Sequence, residues 1–147
     1  MVFVKQDNNY INLEAVSNVN ILEDKIVFNM DISTTKKEIG LMSHYFYIDK
    51  DNVAFMDTKY FKENFVKITG QDRIFYINKT KILGIKADYK THKIIMLFKN
   101  AVTKRSIKDF EVTDKSFLVP EFMYISQDYN VDLDKVIENF LKDCGNE

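Results

Sequence analysis

The sequence predicts an α+β fold in which antiparallel strands form two similar strand-hairpin-helix units, packed together as one compact domain. Three observations lead to this prediction. Apolar and polar residues alternate at the strand period, a series of short motifs occurs twice in the same order, and each series is followed by residues with helical spacing. The chain has 147 residues, of which 46% are hydrophobic, and this is enough to build a core without a disulfide or a metal.

The repeated motifs divide the chain into a first unit, residues 1–66, and a second, longer unit, residues 67–147. The matches, in order, are Phe3-Val4-Lys5 with Phe65-Val66-Lys67, Tyr10-Ile11-Asn12 with Tyr76-Ile77-Asn78, Val16 and Val19 with Ile82 and Ile85, Lys25-Ile26-Val27-Phe28 with Lys93-Ile94-Ile95-Met96, Ile39 with Ile107, Phe46-Tyr47-Ile48 with Phe122-Met123-Tyr124-Ile125, and Asn52-Val53 with Asn130-Val131. A single triplet can match by chance in a chain rich in these residues. The shared order therefore carries the interpretation as an internal duplication.

The first unit is predicted to contain four strands and a helix. The strands are expected at 2–5, at 10–22 with an interruption, at 25–32 and at 39–48. The alternation is clearest at 25–32, which predicts a half-buried antiparallel strand. Apolar residues at helical spacing predict a helix over 51–65, capped by Asp51 or Asn52.

The second unit is predicted to repeat this plan after a junction at 65–69. The strands are expected at 73–78, 82–89, 93–99 and 103–110, and Pro120 marks a break. Helical spacing predicts an acidic C-terminal helix over 131–142, capped by Asn130 or Asp132, and Cys144-Gly145 closes it.

The sequence contains no recognisable catalytic, cofactor-binding or metal-binding motif. His44 lies in an aromatic strand and His92 at a turn, and neither is placed beside Cys144 by any local pattern. Acidic or amide side chains alternate over 128–134, as in a calcium loop, but Leu133 stands where that loop needs glycine. We therefore interpret this segment as a helix N-terminus and expect a protein that is not an enzyme and that binds no cofactor.

Composition predicts a cytoplasmic protein without membrane contact. The one cysteine favours a reducing compartment, the first residues do not resemble a signal peptide, and no apolar run approaches the roughly 18 residues of a membrane span. The chain has 19 Lys against 2 Arg and abundant Ile, Asn, Tyr and Phe, which is typical of a low-GC bacterial or phage genome.

The net charge of −1 conceals three zones of very different charge. Residues 1–66 contain seven Lys and ten acidic residues, for a net −3. Residues 67–108 contain eleven basic and two acidic residues, for a net +9. Residues 109–147 contain three Lys and ten acidic residues, for a net −7. The strands of the second unit are therefore predicted to be strongly basic, and the region after them acidic.

Two interpretations of the basic strands remain open. In the first, they bind the phosphates of a nucleic acid while aromatic rings stack on its bases. In the second, they face an acidic protein surface, either the C-terminal helix, a second copy or another protein. The candidate anion- or partner-binding residues are Lys79, Lys81, Lys86, Lys90, Lys93, Lys104 and Arg105, and the candidate stacking residues are Phe75, Tyr76 and Tyr89.

The sequence favours the second interpretation, because the acidic region would repel nucleic acid. We expect a small interaction module that acts through protein–protein contacts, and a homodimer is one form that such contacts can take. Nucleic-acid binding is the alternative. A small hydrolase or nuclease built from scattered acidic residues is a third class, since residues distant in sequence can meet in space without leaving a motif.

Overall fold

The structure is a computed structural model that describes residues 1–6, 9–30, 45–51, 53–98, 101–102, 117–118 and 121–145. Within these residues it contains antiparallel β-sheets and two α-helices, which confirms the predicted α+β class. The strands are β1 (Phe3–Gln6), β2 (Asn9–Asn12), β3 (Val16–Ile21), β4 (Lys25–Met30), β5 (Tyr45–Asp49), β6 (Phe65–Thr69), β7 (Ile74–Asn78), β8 (Ile82–Asp88), β9 (Lys93–Phe98), β10 (Ala101–Val102), β11 (Phe117–Leu118) and β12 (Glu121–Ser126). The helices are α1 (Lys59–Asn64) and α2 (Leu133–Asp143), and single 3₁₀ turns span Leu13–Ala15, Ala54–Asp57 and Lys79–Lys81.

The larger sheet has five strands in the order β5-β4-β3-β7-β6, and the smaller has three in the order β12-β9-β8. The hairpins β1–β2 and β10–β11 are two further two-stranded sheets among the described residues. The larger sheet joins the two predicted units, because β3 pairs with β7. The predicted boundary between residues 66 and 67 lies inside β6.

Alternation along the strands places one row of side chains in a core. In β9, Ile94, Met96 and Phe98 are fully buried, whereas the residues between them are half-buried. Two buried clusters result. The first contains Val4, Ile11, Leu13, Val16, Val19, Ile26, Phe28, Ile48, Phe55, Phe61 and Phe65. The second contains Val66, Ile68, Phe75, Ile77, Ile94, Met96, Phe98, Ile125, Leu133 and Phe140. The hairpin β6–β7 contributes side chains to both clusters.

Helix α2 forms where the helical spacing predicts it. Its buried residues, Leu133 and Phe140, lie in the second cluster, and Val136, Ile137 and Leu141 pack beside them. The Asp132 side chain caps the helix, since one carboxylate oxygen accepts hydrogen bonds from the backbone N–H groups of residues 134 and 135 at 3.0 and 3.4 Å. The interpretation of this acidic segment as a helix N-terminus is confirmed.

The predicted helix over 51–65 is wrong in length and in its cap. The chain instead forms the 3₁₀ turn and then the six-residue helix α1. Thr58 separates them, because its hydroxyl donates to the carbonyl of Phe55 and accepts from the N–H of Phe61. Phe65 begins β6, so the predicted junction at 65–69 is a strand. The β-branched residues of this strand, Val66, Ile68 and Thr69, pair with β7. This tertiary pairing overrides the helical spacing.

Several predicted elements differ from the structure in their bounds. The interrupted strand over 10–22 is β2 and β3 separated by a 3₁₀ turn, so five strands precede α1 among the described residues, where the sequence predicted four. The strands predicted at 25–32 and 93–99 are confirmed as β4 and β9 over their described parts. The strand predicted at 103–110, Pro120, His44 and most of the strand at 39–48 lie outside the described residues.

The described elements fall into two series. From β1 to α1 they are a hairpin, a 3₁₀ turn, the strands β3, β4 and β5, and a second 3₁₀ turn before the helix. From β6 to α2 they are a hairpin, a 3₁₀ turn and the strands β8, β9 and β12, with β10 and β11 between β9 and β12. The repeated triplets pair with each other in the same register: Phe3 lies opposite Asn12, as Phe65 lies opposite Asn78. The pairs β3–β4 and β8–β9 also have their register shifts at matching positions, after residues 16 and 82.

Candidate protein-binding surfaces

The smaller sheet has one face on the second cluster and one face away from it. Directly opposite residues of antiparallel strands share a face, and Ile95 lies opposite both Lys86 and Tyr124. One residue pair further along, Leu97 lies opposite Gly84. We call these five residues, Gly84, Lys86, Ile95, Leu97 and Tyr124, the outer face.

The outer face contains an open groove of about 310 Å³. The outer face and Ile85 line it. Gly84 leaves the groove open, since a Cβ atom at that position would have no neighbouring atom within 4 Å. Tyr124 and Lys86 are exposed, with Tyr124 at 58%. The groove therefore offers aliphatic and aromatic surface beside one lysine, an arrangement suited to an apolar side chain.

The acidic helix α2 packs on the opposite face of the same sheet. Its apolar residues face the cluster, and its acidic residues Asp134, Glu138 and Asp143 are exposed. The hydroxyl of Tyr89 donates a hydrogen bond to the carboxylate of Asp134. This hydrogen bond and the negative charge of the carboxylate both favour the protonated hydroxyl, so the pKa of Tyr89 is raised. The acidic helix thus lies against the basic strands, on the side of the sheet opposite the outer face.

The predicted basic residues occupy three different places. Lys79 and Lys81 are half-buried in a 3₁₀ turn, where the Lys79 ammonium donates to the backbone carbonyl of Cys144 at 3.4 Å. Lys86 and Lys93 point to the side of the outer face, and Lys90 is exposed in the turn after β8. The structure therefore brings together only Lys86 and Lys93 among the described candidates. Lys104 and Arg105 lie outside the described residues.

The predicted stacking residues differ in exposure. Phe75 is buried at 5% within the second cluster, so its ring has no free face and the expectation that it stacks on bases is corrected. Tyr76 is half-buried against Phe61, with ring centroids 5.3 Å apart. Tyr89 is 63% exposed, although its hydroxyl is bound to Asp134.

A second exposed aromatic surface lies on the hairpin β1–β2. Phe3 is 55% and Tyr10 65% exposed, and the Lys5 ammonium lies 5.7 Å from the centre of the Tyr10 ring. We call Phe3, Lys5 and Tyr10 the hairpin face. Sequence reasoning missed both this surface and Tyr124. The repeat held the signal for the first, because it aligns Phe3 and Tyr10 with Phe65 and Tyr76.

The described side chains that could take part in catalysis or bind a metal are not gathered into one site. His92 adopts a positive φ of 55°, its ring stacks on Tyr129 with centroids 5.1 Å apart, and its Nε2 atom is buried without a hydrogen-bond partner. Burial raises the pKa of the Cys144 thiol. Within the described ranges, no three potential metal ligands lie together. No helix in the described part of the chain is long and apolar enough to cross a membrane.

Comparison with known proteins gives no assignment: no protein-family model matches the chain, and neither curated proteins nor solved structures yield a match.

Proposed function

We propose that this protein is a small, non-enzymatic interaction module that binds a segment of a partner protein on the outer face. The observation that carries the proposal is the open groove beside Gly84, which is lined by Ile85, Ile95 and Leu97. An apolar surface that stays open costs free energy in water, and binding an apolar side chain would remove that surface from solvent.

The charges around the groove favour an acidic partner segment. Lys86 is exposed on the rim, and Lys93 lies further along the same side. Asp88 lies directly opposite Lys93 and also interacts with the charge of Lys86, and of the two cations Lys86 is the more exposed. A segment with one large apolar residue flanked by Asp or Glu would fill the groove and place a carboxylate near Lys86.

Nucleic-acid binding remains the second candidate, on the observation that Lys86 and Tyr124 share the outer face. Three of the six lining residues are aliphatic, however, and an aliphatic wall offers a base no aromatic ring on which to stack. Binding of a protein segment would use all of the residues that line the groove, whereas binding of a nucleic acid would use only Lys86 and Tyr124.

We further infer that the two units, 1–66 and 67–147, are an internal duplication. The matching pairing register of the two hairpins and the matching position of the two register shifts support this inference. Side-chain roles match as well. Asn12 and Asn78 each precede a 3₁₀ turn, and each side-chain oxygen accepts a hydrogen bond from the backbone N–H two residues later.

A peptide selection tests the proposed function. The intact protein is immobilised and used to select from a phage-displayed library of random 12-residue peptides. We expect enrichment of peptides with a large apolar residue flanked by acidic residues. Binding of a selected peptide, measured by fluorescence anisotropy, should weaken at least about tenfold in Leu97→Asp and about threefold or more in Lys86→Glu.

The matched control is Lys62→Glu, which makes the same charge change on the exposed side of α1 and should leave binding unchanged. Failure to enrich any peptide, or equal binding by Leu97→Asp, would contradict the proposal. A parallel titration with labelled 12-nucleotide single strands at low and high salt tests the alternative. Salt-sensitive binding that Lys86→Glu abolishes would favour nucleic acid instead.

A further inference from the structure

The contact that joins the two units is a strand pair with an aromatic patch. Strand β3 pairs with β7, and Val19 lies opposite Tyr76. Beside this pair, the Tyr76 ring lies against the Phe61 ring of the first unit, with centroids 5.3 Å apart. The Asn78 amide donates to the backbone carbonyl of Val16 at 2.9 Å. Backbone pairing, aromatic packing and one buried amide therefore all act across the same contact.

The counterpart of β3 in the second unit, β8, lacks this contact. It pairs with β9 as β3 pairs with β4, but it is the edge of its sheet among the described strands. Its side chains show the consequence. Val16 and Val19 are fully buried under β7, whereas Ile82 and Ile85 at the corresponding positions are only half-buried. Ser17 is fully buried, whereas Leu83 is 52% exposed.

The counterpart of β7 in the first unit, β2, lacks the other half of the contact. It pairs with β1 in the register of β7 with β6, and its second edge is unpaired among the described strands. Phe65 is buried at 7% and Tyr76 is half-buried, whereas Phe3 and Tyr10 are 55% and 65% exposed. Strand β8 thus corresponds to β3 without a β7 partner, and strand β2 corresponds to β7 without a β3 partner.

We propose that copies of this chain associate head to tail, with the free edge of β2 in one copy pairing with the free edge of β8 in the next. Transferring the β3–β7 register places Tyr10 opposite Ile85, Ile11 opposite Gly84 and Asn9 opposite Lys86. Phe3 and Tyr10 then cover the half-buried side chains of Ile82 and Ile85.

One further feature fits this assembly. The amide of Asn12 would donate to the carbonyl of Ile82 in the next copy, as Asn78 donates to Val16 within the chain.

The contact is heterologous, because the two paired surfaces are different parts of the chain. Such a contact produces an open filament or a closed ring, according to the rotation between neighbours, and it does not stop at a two-fold dimer. Pairing also covers two exposed strand edges, which folded proteins otherwise protect. The proposal rests on the correspondence between the two units. It uses the backbone edge of β8, which includes Gly84 and Lys86 of the outer face, and it does not use Leu97.

The test uses mass against concentration for the intact protein, by sedimentation or light scattering between about 1 and 200 µM. We expect the average mass to rise above the 17.4 kDa of one chain. Tyr10→Glu and Leu83→Asp each change an exposed side chain, so each should fold and remain monomeric. Equimolar mixing of the two variants should restore a 1:1 dimer and nothing larger, since each variant retains one intact half of the contact.

A disulfide cross-link tests the register. In a Cys144→Ser background, protein with Asn9→Cys is mixed with protein carrying Lys86→Cys and oxidised. Both positions are accessible, and we expect a cross-linked dimer. The matched control replaces Lys86→Cys by Lys90→Cys, which should give none.

A chain that stays monomeric throughout, a mass increase that Tyr10→Glu does not remove, or variants that fail to complement would each overturn the proposal. Leu97→Asp, which tests the outer face, should leave the mass increase unchanged. Failure of peptide binding and failure of self-association are therefore separate results.

Discussion

The hairpins β1–β2 and β6–β7 have the same sequence motifs and the same register but very different surroundings. Both place Phe opposite Asn, Val opposite Ile and Lys opposite Tyr. In β6–β7, one face packs on the first cluster and the other on the second. In β1–β2, one face packs on the first cluster and the other is the exposed hairpin face. Local sequence thus determines how the strands pair, while neighbouring elements determine which face is core.

The largest expected difference is between Phe65→Ala and Phe3→Ala. Phe65 is buried at 7% and stacks on Phe61, so its loss should lower the free energy of unfolding by about 3 kcal/mol. Phe3 is mostly exposed, so its loss should cost less than about 0.5 kcal/mol. Urea unfolding at low protein concentration measures both values without a contribution from association. Equal losses would show that the two hairpins have equivalent environments.

The glycines of the two sheets should respond differently to a methyl group. A Cβ at Gly70 would lie 3.0 Å from the Phe75 ring and 3.1 Å from the Ile125 side chain. Gly70→Ala should therefore destabilise the fold by about 1–3 kcal/mol through overpacking. Gly84→Ala meets nothing within 4 Å and is its matched control. Thermal unfolding of both variants checks the difference, and an unchanged Gly70→Ala protein would contradict the close packing of β6 on β12.

The two asparagines test whether equivalent positions carry equivalent energies. Asn78 is fully buried, donates to Val16 and accepts from the N–H and hydroxyl of Thr80. Asn12 is half-buried and accepts from the N–H groups of Val2 and Glu14. Asn78→Ala should cost about 2 kcal/mol and Asn12→Ala about 1 kcal/mol. If Asn12→Ala cost as much, the extra bond across the two units would have no measurable effect.

The smallest expected effect is the acid response of the β8–β9 turn. Hydrogen bonds from the side chain and the backbone N–H of Thr91 lower the pKa of Asp88. Because the pKa is lowered, the ionised carboxylate stabilises the turn fully at any pH above the ordinary pKa of an aspartate, which is near 3.9. This contribution to stability is lost as the pH falls through the lowered pKa.

The corresponding turn of the first unit closes by a backbone hydrogen bond from Leu22 to Lys25 and should not share this response. Amide exchange at residues 90 and 91, followed by NMR from about pH 6 to pH 2, measures it. Asp88→Asn should abolish the pH dependence, and its persistence in that variant would assign it to another group.

Local periodicity predicted the elements whose burial matches their own residue pattern. The alternation in β9 and the helical stripe of α2 are examples, because each buries a single, regular face. The spacing over 51–65 misled, since Phe65 is buried by strand pairing and not by a helix. No local pattern specifies the pairing of β3 with β7, whose partners lie far apart in the sequence.

The candidate surfaces were less predictable than the fold. Lysines that are neighbours in sequence, such as Lys79 and Lys86, are dispersed because a 3₁₀ turn and a register shift lie between them. Phe75 and Tyr76 point to opposite faces, so one is buried in the second cluster and the other packs on the first. The groove lies beside Gly84 on the face opposite α2, and only the tertiary structure determines which face α2 covers.

The place of β6–β7 in both clusters has a consequence for the order of events during synthesis. Phe65 belongs to the first cluster, and β7 closes the edge of β3. The first core therefore cannot be completed when residues 1–64 leave the ribosome, and it must wait for the hairpin that ends at Asn78. A nascent chain arrested before that point would expose apolar surface, so folding of the first core on the ribosome should begin only after residue 78 has emerged.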